Sequence, residues 1–427
     1  MSQEKQLIRA PRGTEDILPE QLALQRFIED TARRVMDLYG YHEIRTPVFE
    51  DTGLYARTTG ETTDIVEKEM FSINAGQEGS FVLRPEGTPG VVRAYVEHEV
   101  YKVHKFAKYC YVYHIFRYER PQAGRMRQFD QIGAEAIGSY DPLVDAETIL
   151  LAATIFEAIG LEGCKIRLNS FGCEKCRPAY RDALRKGVGG KEDGLCANCR
   201  RRLDRNIFRL LDCKEERCRE ITKGLPTIRD YLDDDCRNHF AKVREVLDAN
   251  GIAYQLEDRL VRGLDYYTKT VYEFAHESLG ARDAVCGGGR YDGLVEQLGG
   301  PPTGAVGFAI GVVPTLLALK NTGKDAPEGA KPRGPTIFLV TIGDEDRSYG
   351  FSLLRRLRAA GVAADADFEG RSLKAQMRAA NRVASKYVIV IGPDERASKK
   401  FKLKEMVTGK EEIVTEGALL SSLDDSA

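Results

Sequence analysis

The sequence has no excess of either charge and no long apolar run. Lys plus Arg number 63 against 65 Asp plus Glu, a net charge of −2, so nothing global draws the chain to nucleic acid or to an anionic membrane. Any nucleic-acid surface has to be local. The longest apolar stretch, Ala305 to Leu319, is broken by Gly307, Gly311 and Pro314 and does not read as a membrane span. The opening MSQEKQLIRAPRG lacks an apolar signal segment, so the expectation is a cytoplasmic protein with no membrane partner. Histidine is sparse: six residues, at positions 42, 98, 104, 114, 239 and 276, without metal-ligand spacing, and none is assigned a catalytic role. No internal repeat with a period of about 20 to 50 residues is visible, and no low-complexity tract.

What is present is a globular composition, 42% hydrophobic and 30% charged over 427 residues, enough for two or three domains. Gln21 to Leu38 carries apolar side chains at helical spacing, with Gly40 as a stop. Tyr41 to Phe49 reads as a strand, and Pro47 within it removes a ladder donor and points to an edge or an interface. Strand-like runs recur at Ser80 to Arg84, Ala107 to Arg117, Gln128 to Gly138 and Val271 to Ala275. They are not evenly interleaved with helices, so the expected fold is α+β, a mixed, mainly antiparallel sheet flanked by helices. From Leu161 to about Gly251 the pattern turns helical, basic and cysteine-rich, as for an insertion between two halves of the sheet. Asn321 to Pro335 has the Gly, Pro and charge content of a linker. Beyond it, alternating strand and helix patterns predict a small α/β domain of about 90 residues.

Ten cysteines without an export signal argue for reduced thiols or metal ligation. Two C-x2-C pairs, Cys173 with Cys176 and Cys196 with Cys199, have the separation of a single four-thiolate zinc ribbon. The alternative is a set of reduced cysteines in a helical insertion that packs without metal.

Lys102 to Arg127 holds seven cations against Glu119 alone, interleaved with Tyr109, Tyr111, Tyr113, Phe116 and Tyr118. Arg suits phosphate because its planar fork engages two oxygens at once, so part of this charge is expected around a bound anion rather than on a solvated face. Two further stretches stand out, LRPEGT at Leu83 to Thr88 and VRGLDYYTKTVYEF at Val261 to Phe274. Gly287, Gly288 and Gly289 would allow the backbone to approach a ligand closely.

Taken together, GYHEIRTPVFED, LRPEGT, FRYERPQAGRMRQFDQIGAE, RLVRGLDYYTKTVYEF and GGGRYDGL make the chain resemble the histidyl-tRNA synthetases, class II aminoacyl-tRNA synthetases, over nearly its whole length. The resemblance implies a catalytic domain over 1–325 with a helical, Cys-containing insertion at about 170–250. It further implies a linker at 326–335, an anticodon-binding domain over 336–427, and a homodimer formed partly through GYHEIRTPVFED. The implied activity is histidine–tRNA ligation with ATP and Mg2+, and the implied partners are L-histidine and tRNA(His). By motif, Arg117 and Arg262 would hold the α-phosphate and act as the catalytic residues. Glu86, Thr88 and Gln131 would take the substrate ammonium, with Gly87 between the first two. Glu135 and Tyr267 would bond the imidazole nitrogens, and Tyr266 and Tyr291 would line the pocket. Phe129 would stack on adenine, while Arg125 and Arg127 would face the outer phosphates or the acceptor stem.

One motif departs from the family. Where its third motif carries Glu then Arg, this chain has Val313 and Pro314. Proline is tolerated in a helix's first turn, so the fold survives, but the arginine that would cover adenine and reach the γ-phosphate is replaced. The departure raises a second reading, a weakened homologue serving as a regulatory or binding subunit. Such partners lack the anticodon domain and much of the histidine signature, and this chain resembles the family in both.

Overall fold

A computed structural model describes residues 7–421 apart from 60–64, 75, 77–78, 122–123, 281–282, 324–326 and 328–329. Gln122 and Ala123 of the FRYERPQAGRMRQFDQIGAE stretch and much of the expected 326–335 linker's start therefore lie outside the described residues. The chain divides into two compact units, Met1–Ala330 and Lys331–Ala427.

The strands of the first unit are, in chain order, β1 (His42–Glu43), β2 (Phe49–Asp51), β3 (Phe71–Asn74), β4 (Ser80–Leu83), β5 (Ala107–Phe116), β6 (Gln128–Ile137), β7 (Lys165–Ser170), β8 (Tyr254–Leu256), β9 (Thr268–Ala275), β10 (Ala284–Arg290) and β11 (Ala305–Gly311). Eight of them form one sheet in the order β1-β5-β6-β11-β10-β9-β7-β8, parallel only in the two edge pairs, β1 with β5 and β7 with β8. β2, β4 and β3 make a small separate sheet. The run expected as a single strand at Tyr41 to Phe49 is thus two short pieces in two different sheets. Pro47 lies between them, where a missing N–H costs no ladder bond.

The strands of the large sheet alternate with period two, and the two faces differ in kind. On one face Cys110, Ile132, Ala134, Phe308, Ile310, Tyr272 and Phe274 join the main core. Helices cover that face. Pro19–Leu38 packs through Ile28, Ala32, Val35 and Met36, the i, i+4, i+7, i+8 stripe expected of an amphipathic helix. Pro142–Ala158, started by Pro142 and by the Asp141 side chain that accepts from the Leu143 N–H at 2.9 Å, and Asp234–Ala249 complete the layer. The opposite face carries the site described below.

Residues between β7 and β8 fold as the insertion. Short helices at Arg177–Val188, Ala197–Arg205 and Glu216–Ile221 enclose a small core of Tyr180, Leu184, Leu195, Ile207 and Leu210 with buried cysteines. Here the four-thiolate ribbon is corrected. Cys196 and Cys199 group with Cys213 and Cys218, whereas Cys173 and Cys176 group with Asp233 and Cys236. The two C-x2-C pairs do not share one site. Chain spacing alone could not separate these pairings, because helical turns between the pairs decide which sulfurs meet.

The second unit holds β12 (Ile337–Thr341), β13 (Ala364–Ala366), β14 (Tyr387–Ile391), β15 (Lys400–Glu405) and β16 (Glu411–Thr415) in the order β13-β12-β14-β15-β16. β12 and β14 are parallel neighbours with nearly unbroken apolar sequences because both faces are covered: Ile337, Leu339, Ile389 and Ile391 on one side, Phe338, Val340 and Val388 on the other. No helix among the described residues is long and apolar enough to cross a membrane.

Candidate functional site

The site face of the large sheet is built by cross-strand register. β5 presents Tyr109, Tyr111 and Tyr113 opposite Glu135, Gly133 and Gln131 of β6. β11 in turn sets Gly307, Ala309 and Gly311 opposite the same three β6 residues, and β10 sets Gly287 and Gly289 opposite Ala309 and Gly307. A row of residues with little or no side chain therefore crosses β6, β11 and β10 and forms a trough. Two glycines show why no larger residue serves. A Cβ on Gly307 would collide with the Glu135 carboxylate, and one on Gly287 would collide with the Arg262 guanidinium. The Gly287 to Gly289 run makes room for the chain's own Arg262, Tyr272 and Tyr267.

Glu135, with 0% exposure, lies on the floor. It accepts hydrogen bonds from Thr88 Oγ1 at 2.6 Å, Tyr111 OH at 3.1 Å and Tyr291 OH at 2.5 Å. Burial pushes its pKa up to about 7 against the pull of those three donors. Glu86 is also buried, and one of its carboxylate oxygens has no hydrogen-bond partner. Burial raises it to about 7 as well; Arg117 pulls it down, the Glu135 charge pushes it up, and a hydrogen bond from Tyr266 lowers it. The pocket wall is aromatic: the Tyr266 ring lies 4.8 Å from Tyr267 and 5.7 Å from Tyr291, and Tyr111 stacks on Tyr113 at 4.3 Å. Tyr111 fits because Gly87 and Gly133 leave room for its ring.

The cations divide into two sets. Arg117, just past β5, donates from Nε to the Pro85 carbonyl at 2.8 Å and lies 5.5 Å from the centre of the Phe129 ring. Arg262 pairs with Glu273 at 2.7 Å, and its buried Nε has no partner. Glu273 is shared with Arg167, so the arginine is held in place without its charge being fully cancelled. Arg125 and Arg127 are engaged by residues of their own loop. Arg125 bonds Glu119 at 2.5 Å, and Arg127 lies 3.9 Å over the Tyr118 ring, its Nε donating to the Glu119 carbonyl at 3.3 Å.

Two features lay beyond the sequence reading. Tyr111 counted there only as one aromatic among several, although the tyrosine alternation of β5 opposite β6 carries the signal for its contact with Glu135. The other is a buried network behind Tyr291. Arg290, with no exposed side-chain surface, pairs with the equally buried Asp145, to which His239 also bonds at 3.1 Å. In Asp145, burial raises the pKa, but Arg290 overrides it and holds the carboxyl down at about 2.

Val313 and Pro314 open the helix Val312–Asn321. That helix starts two residues before the proline, not at it. Pro314 sits within the first turn, where its missing N–H would be unpaired in any case, and Thr315 Oγ1 bonds the Gly311 carbonyl at 2.8 Å.

The family model described as Histidyl-tRNA synthetase matches residues 13–314, and the one described as Anticodon binding domain matches residues 336–425. The chain is 47% identical over 404 residues to a histidine–tRNA ligase of Halothermothrix orenii, covering 95% of this chain and 96% of that protein. It is 44% identical to that of Clostridioides difficile, covering 98% and 99%. Its fold superposes on apo S. aureus histidyl-tRNA synthetase with a TM-score of 0.82 and 37% identity, covering 97% of this chain and 99% of that one. The trough, the buried carboxyl pair and these full-length matches agree, and the chain belongs to the histidyl-tRNA synthetase family.

Proposed function

We propose that the chain is a histidine–tRNA ligase. It joins the histidine carboxylate to the α-phosphate of ATP with release of pyrophosphate, and then passes the histidyl group to the 3′ end of tRNA(His) with release of AMP. The observation that carries this reading is the pair of buried carboxyls on the floor of an aromatic pocket, Glu135 held by three hydroxyls and Glu86 with one oxygen unpaired. Glu86, with Thr88 and Gln131 nearby in the trough, takes the ammonium group. Glu135 and Tyr267 accept and donate at the two imidazole nitrogens, and Thr88 and Tyr291 keep the Glu135 carboxyl aimed. Apolar side chains are rejected because they would leave these groups unpaired.

Arg262 fits an incoming phosphate, since its buried Nε lacks an acceptor, and Arg117 lies close enough to Glu86 to act on its charge. Between them they stabilise charge developing at phosphorus, the main requirement of an adenylate-forming step that needs no nucleophile from the protein. Phe129 offers its ring to adenine. Mg2+ bound with ATP would offset part of the phosphate charge alongside these arginines. Arg125 and Arg127 meet the distal phosphates or the acceptor stem by exchanging their contacts with Glu119 and Tyr118 for phosphate. A cleft of about 210 Å3 beside the insertion, lined by Arg177, Arg181, Arg185 and Arg205, is the second place where tRNA phosphate is received. The protein works in the cytoplasm, and as a homodimer, the latter supported by the exposure of Val48 and Phe49 in the GYHEIRTPVFED segment.

Charging of tRNA(His) tests the reading. Histidine with ATP and Mg2+ should be transferred to the tRNA, while phenylalanine and tyrosine should not; equal charging by either would overturn it.

A further inference from the structure

Seven of the ten cysteines lie between Cys173 and Cys236, and none is in a disulfide. All seven fall into the two groups already described. Cys196, Cys199, Cys213 and Cys218 bring four sulfurs within 4.8 Å of one another. Cys173, Cys176 and Cys236 bring three, with a carboxylate oxygen of Asp233 as the fourth atom inside the same limit. Cys196 Sγ lies 4.0 Å from Cys213 Sγ, and Cys173 Sγ lies 3.6 Å from Cys176 Sγ. Tetrahedral zinc with bonds to sulfur of about 2.3 Å sets the sulfur–sulfur edge at about 3.8 Å, between these two values. A disulfide needs about 2.05 Å, and the three thiols of the second group cannot all pair off.

Backbone donors complete both groups. The Cys196 N–H points at Cys218 Sγ at 3.2 Å, the Cys199 N–H at Cys196 Sγ at 3.4 Å, and the Asp233 N–H at Cys176 Sγ at 3.3 Å. Such donors favour the thiolate, the form that binds metal. Five of the buried residues in the insertion's core are themselves cysteines of these two groups, Cys176, Cys199, Cys213, Cys218 and Cys236, so metal there would fasten the core from within.

We propose that the insertion holds two structural zinc ions, one in Cys196, Cys199, Cys213 and Cys218, the other in Cys173, Cys176, Asp233 and Cys236. Each entering thiol gives its proton to solvent as its zinc–sulfur bond forms, and no oxidation state changes. The second centre lies at the root of the insertion, joining the segment that leaves β7 to the start of helix Asp234–Ala249. From there two connections run to the pocket. Arg177, next to Cys176, donates to the Tyr267 carbonyl and lies over the Phe171 ring at 4.6 Å. Helix Asp234–Ala249 carries His239 to Asp145, and so to Arg290 beside Tyr291. Root zinc is therefore a positioning element for both tyrosines.

Metal content of the full chain, produced with added zinc and desalted, tests this without reference to the proposed activity. Two zinc ions per chain are expected. The Cys199→Ser/Cys213→Ser variant should lose one and the Cys176→Ser/Cys236→Ser variant the other, each with helical circular dichroism retained. If either variant fails to fold, the unmodified chain reconstituted with cobalt should show thiolate charge-transfer absorption that saturates at two equivalents. In histidine binding, loss of the root ion should weaken affinity several-fold, and loss of the four-thiolate ion should leave it within about twofold. One zinc or fewer per chain after reconstitution, or zinc content unchanged in both variants, would overturn the proposal.

Discussion

Glu135 and Glu86 share a buried pocket, and desolvation sets how they behave. An isolated charge in such a place is costly, so each carboxyl waits near pKa 7 for a cationic or donor-rich partner. Removing the Glu135 carboxylate leaves the imidazole donor unpaired, so Glu135→Ala should weaken histidine binding by about 1 to 3 kcal/mol or more, with circular dichroism unchanged. Calorimetry decides this, and unchanged affinity would remove Glu135 from the pocket. Because the ammonium requires an ionised Glu86, histidine affinity should climb between pH 6 and 8. Glu86→Gln should lessen that climb, leaving the titrations of Glu135 and of histidine's own imidazole; an identical profile in both proteins would deny Glu86 its role. For folding the sign is opposite. Carboxyls with raised pKa stabilise the fold fully below their ordinary value of 4.5, and that contribution is lost as pH rises through about 7. Histidine should therefore raise the melting temperature more at pH 8 than at pH 6.

At the scale of elements, the pocket depends on a pair buried behind it. Asp145 belongs to helix Pro142–Ala158 and Arg290 to the end of β10, so breaking the pair strands a charge between helix and sheet. Asp145→Asn should cost about 3 to 5 kcal/mol, read by denaturant unfolding, and a change under 1 kcal/mol would show that the pair is replaceable. The depressed pKa of Asp145 gives stability that is present above pH 4 and lost as pH falls through about 2. Elements of this kind were legible from sequence where one face is buried. Period-two alternation marked β4, β5 and β6, and the apolar stripe marked helix Pro19–Leu38. Charge can mask the same alternation: in β15 Lys400, Lys402 and Lys404 alternate with the buried Phe401 and Leu403. Its charge is also smaller than it reads, since Lys402 lies 3.2 Å and Lys404 4.0 Å from Glu411 of β16. Motif residues around the pocket were legible because the family resemblance names them. The Tyr111 contact, the Asp145 to Arg290 pair and the cysteine partners were not, because each joins residues far apart in the chain.

For the molecule as a whole, the two units suggest a division of labour that mutation can separate. Within the insertion, Arg181→Ala with Arg185→Ala should lower charging of tRNA(His) and reduce its salt dependence while leaving adenylate formation intact. Deleting residues 331–427 should weaken tRNA binding and leave histidine affinity in place; unchanged tRNA binding would deny the second unit its anticodon role. The third family motif is the remaining tension. Val313 and Pro314 keep the helix; if, as the resemblance implies, they stand where the family has a phosphate-reaching arginine, its loss in a water-excluded site commonly costs ten- to a thousand-fold. Val313→Glu with Pro314→Arg should therefore tighten ATP binding.

Histidine-dependent exchange of pyrophosphate into ATP tests the central claim most directly, because it needs the carboxyl pocket and the arginine pair and does not need tRNA. Exchange should occur with histidine and with no other amino acid. In Glu135→Ala it should require correspondingly more histidine for half-saturation, and in the unmodified chain it should be limited by ATP affinity. Failure of exchange in a chain that binds both histidine and ATP would contradict the assignment of this pocket to adenylate formation.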